Sequence, residues 1–295
     1  MIKRNASPFR FTVSSRNVLS ISEINRPAAA DVLPDNLEHD RAVYFVLAFY
    51  GTAGGTAAAK GFLPAIEDSF NQLGYPPDKL AVGRDGRYGK AGGFRRTSAI
   101  LHKKGFAGVH HLAINAMLPG FRFMDDTYCD AEWTNHEPRN ALVCVRADIL
   151  GNFNLQSWPL VSALIQCLKP EYGIGYFREH RLGPGFFALG IGMGLPPITP
   201  EGERISAWCM ALRRRPWCDG LIRDVFRWNF LAKSQLRRAV GRQSLEAWIK
   251  SAPDRGTLQT VSKGLVLWSV PEDRIPAVRQ SLCDAGVIYD RRLHE

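Results

Sequence analysis

Residues 50–60 read "YGTAGGTAAAK" and directly follow the apolar run "AVYFVLAFY" at 42–50. A strand that enters a glycine-rich turn opens either a nucleotide-binding fold or an ordinary crossover, so this stretch decides between two architectures. A P-loop needs G-x-x-x-x-G-K-[ST] and a dinucleotide fold needs G-x-G-x-x-G, each opening a helix whose N-terminus meets the phosphate. Gly51, Gly54 and Gly55 match neither spacing. Pro64 further places the start of the regular helix near 62–64, because an interior proline loses a hydrogen bond and clashes with the preceding turn, at about 3 kcal/mol. The stretch is therefore expected to be a crossover loop, at most a first turn capped by Thr56.

Working outward, Phe62, Leu63, Ile66, Phe70 and Leu73 recur at helical spacing until Gly74 and Pro76-Pro77 end the helix. A basic glycine-rich loop at 83–93 and a short helix near 97–104 come next. Three strand-like runs at 108–118, 127–134 and 140–149 predict an antiparallel meander. A helix over 158–168 carries Pro159 in its first turn, where a missing N–H costs nothing. Runs at 172–177 ("YGIGYF") and 185–192 ("GFFALGIG") read as two further strands. The proline-rich "LPPITPEG" at 195–202 reads as a linker. Helices are expected beyond it over 201–214 and 219–239, with a short piece at 245–250. A hairpin about Ser262-Lys263-Gly264, a helix over 273–285 and a closing strand "VIYD" follow. The expected fold is α+β, mainly an antiparallel sheet with helices packed on it, followed by a helix-rich C-terminal part ending in a β-hairpin, helix and short strand. Residues 1–40 are read as a partly flexible N-terminal arm, 41–195 as an α+β domain, and 201–295 as a subdomain packed on it.

The 295 residues are 45% hydrophobic and 22% charged, the make-up of a globular protein, and nowhere approach the roughly 20 apolar residues of a membrane-spanning helix. The start, "MIKRNASPFRFTVSSRNVLS", is basic and acid-poor but lacks the apolar core of a secretory signal. Six cysteines without a C-x-x-C pair read as reduced thiols, which places the chain in a cytoplasm. The net charge of +10 is uneven. Residues 201–250 hold eleven Lys/Arg against five Asp/Glu, a surplus of six, whereas residues 121–140 hold five Asp/Glu against two Arg, a deficit of three.

Four features invite chemistry. "GIGMG" at 190–194 runs into Leu195-Pro196-Pro197, so no helix can open on it. His110 and His111 are adjacent in a strand and so point to opposite faces, which without a bulge rules out one shared metal. Asp125, Asp126, Asp130 and Glu132 form an acidic hairpin in which Asp130 and Glu132, two apart on a strand, share a face. Such carboxylates suit a partner-facing patch, or a divalent cation in a metal-dependent hydrolase. Finally, residues 204–242 interleave arginines with Trp217, Phe226, Trp228 and Phe230, a pattern that neutralises phosphates and stacks bases. The competing reading buries Leu221, Val225, Trp228 and Leu231 as one helix face. No catalytic residue set, resident metal or cofactor is expected from these patterns.

The tail segments "LIRDVFRWNFL", "SLEAWI", "RGTL" and "GLVLWSVPEDRIPAVRQSLCDAGVIYD", with "EYGIGYFREHRLGPGFFALGIG" before them, resemble immunity proteins of bacterial polymorphic-toxin and type VI secretion loci. The resemblance covers mainly residues 172–194 and 219–290. It implies a non-catalytic cytoplasmic protein that binds and blocks a co-encoded toxin by surface complementarity. Against a basic toxin cleft a chain of net charge +10 has to use its local acidic hairpin. Asp125, Asp126, Asp130 and Glu132 are thus the expected partner-binding residues. The alternatives are a nucleic-acid-binding protein using 204–242 and a hydrolase using 125–132.

Overall fold

The computed structural model describes residues 41–119, 127–151, 153–192 and 200–294. The arm at 1–40, Asp125 and Asp126 of the hairpin, and most of the 195–202 linker and of "GIGMG" lie outside the described residues.

The first strand, β1 (Val43–Tyr50), is buried along nearly its whole length. A continuous apolar run is what a strand covered on both faces requires. It is followed by helix α1 (Gly55–Gln72), which begins immediately after the glycine-rich stretch with Gly54 as its cap residue. This corrects the expected start at 62–64. Pro64 lies inside the helix on its solvent side, and Lys60, whose carbonyl the proline leaves unbonded, is exposed as well. Water therefore satisfies the freed carbonyl, while Phe62, Leu63, Ile66 and Phe70 on the inner side are fully buried and hold the helix across the break. Gly54 serves packing: a side chain there would collide with the amide of Asn135.

The chain continues through β2 (Lys79–Arg84), β3 (Gly92–Gly93) and α2 (Phe94–Lys104) into the meander β4 (Val109–Met117), β5 (Thr127–Thr134) and β6 (Asn140–Arg146). Helix α3 (Pro159–Leu168) and strand β7 (Tyr172–Glu179) follow. The run at 185–192 is no strand. Gly183, at φ +60°, turns the chain, and Pro184 starts the short helix α4 (Pro184–Ala188). Helical geometry there buries Phe187 and leaves Phe186 39% exposed.

Beyond α5 (Pro200–Ala211) the expected helix over 219–239 is absent. A 3-10 turn at Pro216–Asp219 and an extended passage lead into β8 (Trp228–Ala232), then α6 (Lys233–Leu236), β9 (Ala239–Val240), β10 (Gln243–Ser244) and α7 (Leu245–Lys250). The three- and four-residue spacing of apolar residues is a coincidence of turn and strand. Leu221, Val225 and Leu231 enter one core, whereas Trp228 enters the other with Phe230, as strand alternation dictates. The hairpin β11 (Thr257–Ser262) and β12 (Leu265–Ser269) and helix α8 (Ile275–Asp284) stand where expected, ahead of α9 (Arg291–His294). The closing strand shrinks to one bridge, Ile222 to Ile288.

The fold is α+β, with a ten-stranded sheet in the order β11-β12-β8-β7-β1-β6-β5-β4-β2-β3. Its pairings are antiparallel throughout, and β8, β11 and β12 extend the sheet built by the first 180 residues. One face carries α1 and α3 over Phe45, Leu47, Phe49, Ile114 and Trp133. The other face carries α4, α5 and the C-terminal elements over Val46, Ala48, Tyr50, Tyr172, Ile174 and Trp268. This second cover stops at β6.

Candidate functional site

Past the edge of that cover, the face formed by β4 and β5 is open. β5 alternates buried and half-exposed residues along its entire length. Cys129, Ala131 and Trp133 point into the core, and Asp130, Glu132 and Thr134 point the other way. The expected sharing of a face by Asp130 and Glu132 is what the structure shows. Register then selects their neighbours: Asp130 lies opposite Asn115 and Cys144, and Glu132 lies opposite Ala113 and Leu142.

These six residues floor a recess of about 350 Å³. Its wall is the segment from His180 to Leu189, with Pro184 and the exposed Phe186 facing in. Two buried tyrosines pin that wall to the sheet, Tyr50 donating its hydroxyl to the Ala188 carbonyl at 2.7 Å and Tyr176 to the Pro184 carbonyl at 2.7 Å. Gly185 permits the close approach, since a Cβ there would stand 3.4 Å from the Cys144 sulfur. On the rim, Arg181 is tied to Glu179 at 2.6 Å.

The floor is rich in acceptors. Asn115 is 5% exposed, and its Oδ1 has no hydrogen-bond partner. Glu132 accepts from His111 Nε2 at 2.9 Å. The Cys144 thiol donates to Asp130, and its pKa is pushed well above that of a free thiol, first by burial and then by the Asp130 charge. A protonated, buried thiol is a poor nucleophile. The carboxylates here can orient and neutralise a cation, and the thiol beside them is not poised to attack a substrate.

Beyond Glu132 lies a cluster of rings. A bulge in β4 makes His110 the unpaired residue opposite the step from Gly83 to Arg84. The expected division of the two histidines between faces thereby fails: a Cβ on Gly83 would stand 2.8 Å from the Cβ of His111 and 2.9 Å from Nε2 of His110. The His110 ring packs 4.2 Å from that of His136, and Tyr88 lies edge-on to both His110 and His111. Both histidines are buried, and His110 Nε2 and His111 Nδ1 lack hydrogen-bond partners. Burial, followed by the neighbouring His136, lowers the pKa of His110. Burial, followed by the Glu132 charge, raises that of Tyr88. Among the described residues no three His, Cys, Asp or Glu side chains are placed to hold one metal ion.

The basic segment is divided by the fold. Trp217, Phe226, Trp228 and Phe230 are buried and so are withheld from stacking on bases, whereas Arg204, Arg213, Arg214, Arg227, Arg237 and Arg242 remain exposed. Arg223 is buried, its guanidinium 4.2 Å over the Phe187 ring and one of its amino groups donating to the Ala188 carbonyl at 2.9 Å. Asn115, Cys144 and the α4 wall escaped the sequence reading. The alternation His111-x-Ala113-x-Asn115 was visible, but only register joins it to Asp130 and Glu132. No helix among the described residues is long and apolar enough to cross a membrane.

No family model matches the chain, and no curated protein matches its sequence. Among solved structures, a Pseudomonas aeruginosa T6SS protein, PA0821, superposes with a TM-score of 0.56. The match covers 84% of this chain and 73% of that one at 12% sequence identity, a likeness of fold.

Proposed function

We propose that this chain belongs to a type VI secretion locus, where it acts as a non-catalytic immunity protein that binds a co-encoded effector. The fold shared with a T6SS protein and the resemblance of residues 172–194 and 219–290 to immunity proteins both support that context. The observation that carries the reading is the acceptor-lined recess at Asn115, Asp130 and Glu132, open beside Phe186 on an otherwise covered sheet. A rigid floor with an apolar rim and unspent polar groups is what a binding surface needs, since ordering costs are small when the site is preformed. Asp125 and Asp126 join the same surface in this proposal, and together the four carboxylates give a basic protein one acidic contact zone.

The test is rescue in cells. Bacteria expressing the adjacent effector gene should survive when this chain is co-expressed, and the two proteins should co-purify in a fixed ratio. Replacing Asp125, Asp126, Asp130 and Glu132 together by alanine should weaken the complex without unfolding the protein. Failure to rescue against every adjacent reading frame overturns the proposal.

A further inference from the structure

We infer that the recess is a receptor for a single arginine side chain presented by the partner polypeptide, an assignment that rests on the binding role proposed above and specifies its chemistry. Three features of the recess support it. The first is the Asn115 carbonyl oxygen, 5% exposed, unpartnered and lining the cavity. A buried acceptor without a donor is unfavourable, so its natural complement is an incoming N–H. The second is the company it keeps. Asp130 and Glu132 border the same space and offer carboxylate oxygens beyond those engaged by Cys144 and His111. The occupant is therefore both a donor and a cation.

The third feature is geometry. Residues directly opposite on antiparallel strands hold their Cβ atoms roughly 5 Å apart, and residues two apart along one strand are separated by roughly 6.5 Å. A guanidinium carries five N–H donors in a planar fork and can serve acceptors placed on different sides, whereas an ammonium is a compact point charge. Phe186, Pro184 and Leu189 on the wall give the planar group and its aliphatic stem a face to lie against. A metal ion is the poorer fit, because among the described residues no three ligating side chains converge. At about 350 Å³ the recess stands at the low end of ligand-sized cavities, about 300–1,000 Å³, which suits one long side chain rather than a helix.

The experiment titrates the full chain with N-acetyl-arginine amide, N-acetyl-lysine amide and N-acetyl-citrulline amide, the last having the arginine shape without its charge. Saturable NMR shifts at 113–115 and 130–132 are expected with arginine, at least tenfold tighter than with citrulline or lysine. The double variant Asp130→Asn/Glu132→Gln, which keeps side-chain size, should lose at least tenfold in arginine affinity while melting like the parent. Absence of saturation with arginine, or equal binding of citrulline or lysine to the unaltered protein, overturns the assignment. No effector is present in this titration. Its failure therefore removes the arginine receptor alone, whereas failure of rescue in cells removes the neutralising role.

Discussion

On one and the same side of the sheet, β1 presents Tyr44, Val46, Ala48 and Tyr50, while β5, two strands away, presents Asp130, Glu132 and Thr134. The β1 residues are at most 2% exposed beneath α4 and α5, and the β5 residues are half-exposed. Backbone pairing is alike in the two regions, so the difference lies in what covers them. A strand buried on both faces must be apolar at every position, and a strand buried on one face is free to alternate. The polar half of the face is thus a surface that carries little of the folding energy and can be given over to recognition.

The comparison breaks most visibly if a covered residue proves dispensable. Trp268 is fully buried beneath the C-terminal elements and donates its indole N–H to the Arg255 carbonyl at 2.8 Å. Trp268→Ala should cost about 3–5 kcal/mol through lost transfer energy and a cavity. Against a net stability of roughly 5–15 kcal/mol, that is a large fall in melting temperature. Trp228, 8% exposed in the opposite core, should behave similarly. A Trp268→Ala protein that melts like the parent would erase the distinction between covered and open halves.

The boundary between the halves is the wall formed by α4, and its two tyrosine tethers allow a finer test. Tyr50→Phe and Tyr176→Phe each remove a 2.7 Å hydrogen bond to an α4 carbonyl and leave that carbonyl unpaired. Each should cost about 1 kcal/mol in denaturant unfolding. Amide exchange should accelerate within 184–190 ahead of the sheet. Uniform acceleration everywhere would mean that the wall does not open separately.

Acidification should sharpen the contrast from the open side. An unperturbed histidine titrates near about 6.5. In the fold, His110 binds its proton less readily because of burial, then His136, then His111, with the Gly108 carbonyl and Asp85 opposing. The unfolded chain therefore takes up more protons as pH falls. The stability from a neutral His110 is complete above about pH 6.5 and is lost as pH falls through the lower folded value. Denaturation midpoints from pH 7.5 to 5 should fall, and they should fall less steeply in His110→Gln. Identical slopes would assign the acid sensitivity to other groups.

How much of this was readable beforehand follows the same division. The meander, α3, the hairpin and α8 carry strong periodicity bounded by Gly and Pro, and they stand as expected. Segments failed where a local rule met a tertiary override. Pro64 marked a helix start but sits on the solvent side of α1, where lost bonding is cheap. Leu221, Val225, Trp228 and Leu231 imitated a helix because a 3-10 turn and a strand happened to space them so. Phe186 and Phe187 imitated a strand because both elements favour aromatics, and only Gly183-Pro184 signalled otherwise. In the site, the shared face of Asp130 and Glu132 follows from period two. Their union with Asn115 and with a wall some 50 residues onward depends on register and cover, which no local pattern encodes.

The smallest expected effect is the most discriminating. Glu132 has a side chain 44% exposed to solvent and accepts from His111 at 2.9 Å. Glutamine at this position keeps the size and one acceptor oxygen, so the bond to His111 persists while the negative charge disappears. Ion pairs in contact with solvent contribute typically about 0–1 kcal/mol, because water screens the attraction and two side chains must be ordered. Glu132→Gln should accordingly leave the unfolding free energy within about 0.5 kcal/mol of the parent, the range of an ordinary surface change. The same variant should weaken arginine-amide binding, since the charge faces the recess. A melting temperature lowered by many degrees would show that this carboxylate supports the core, and the open half would then have to be counted with the covered one.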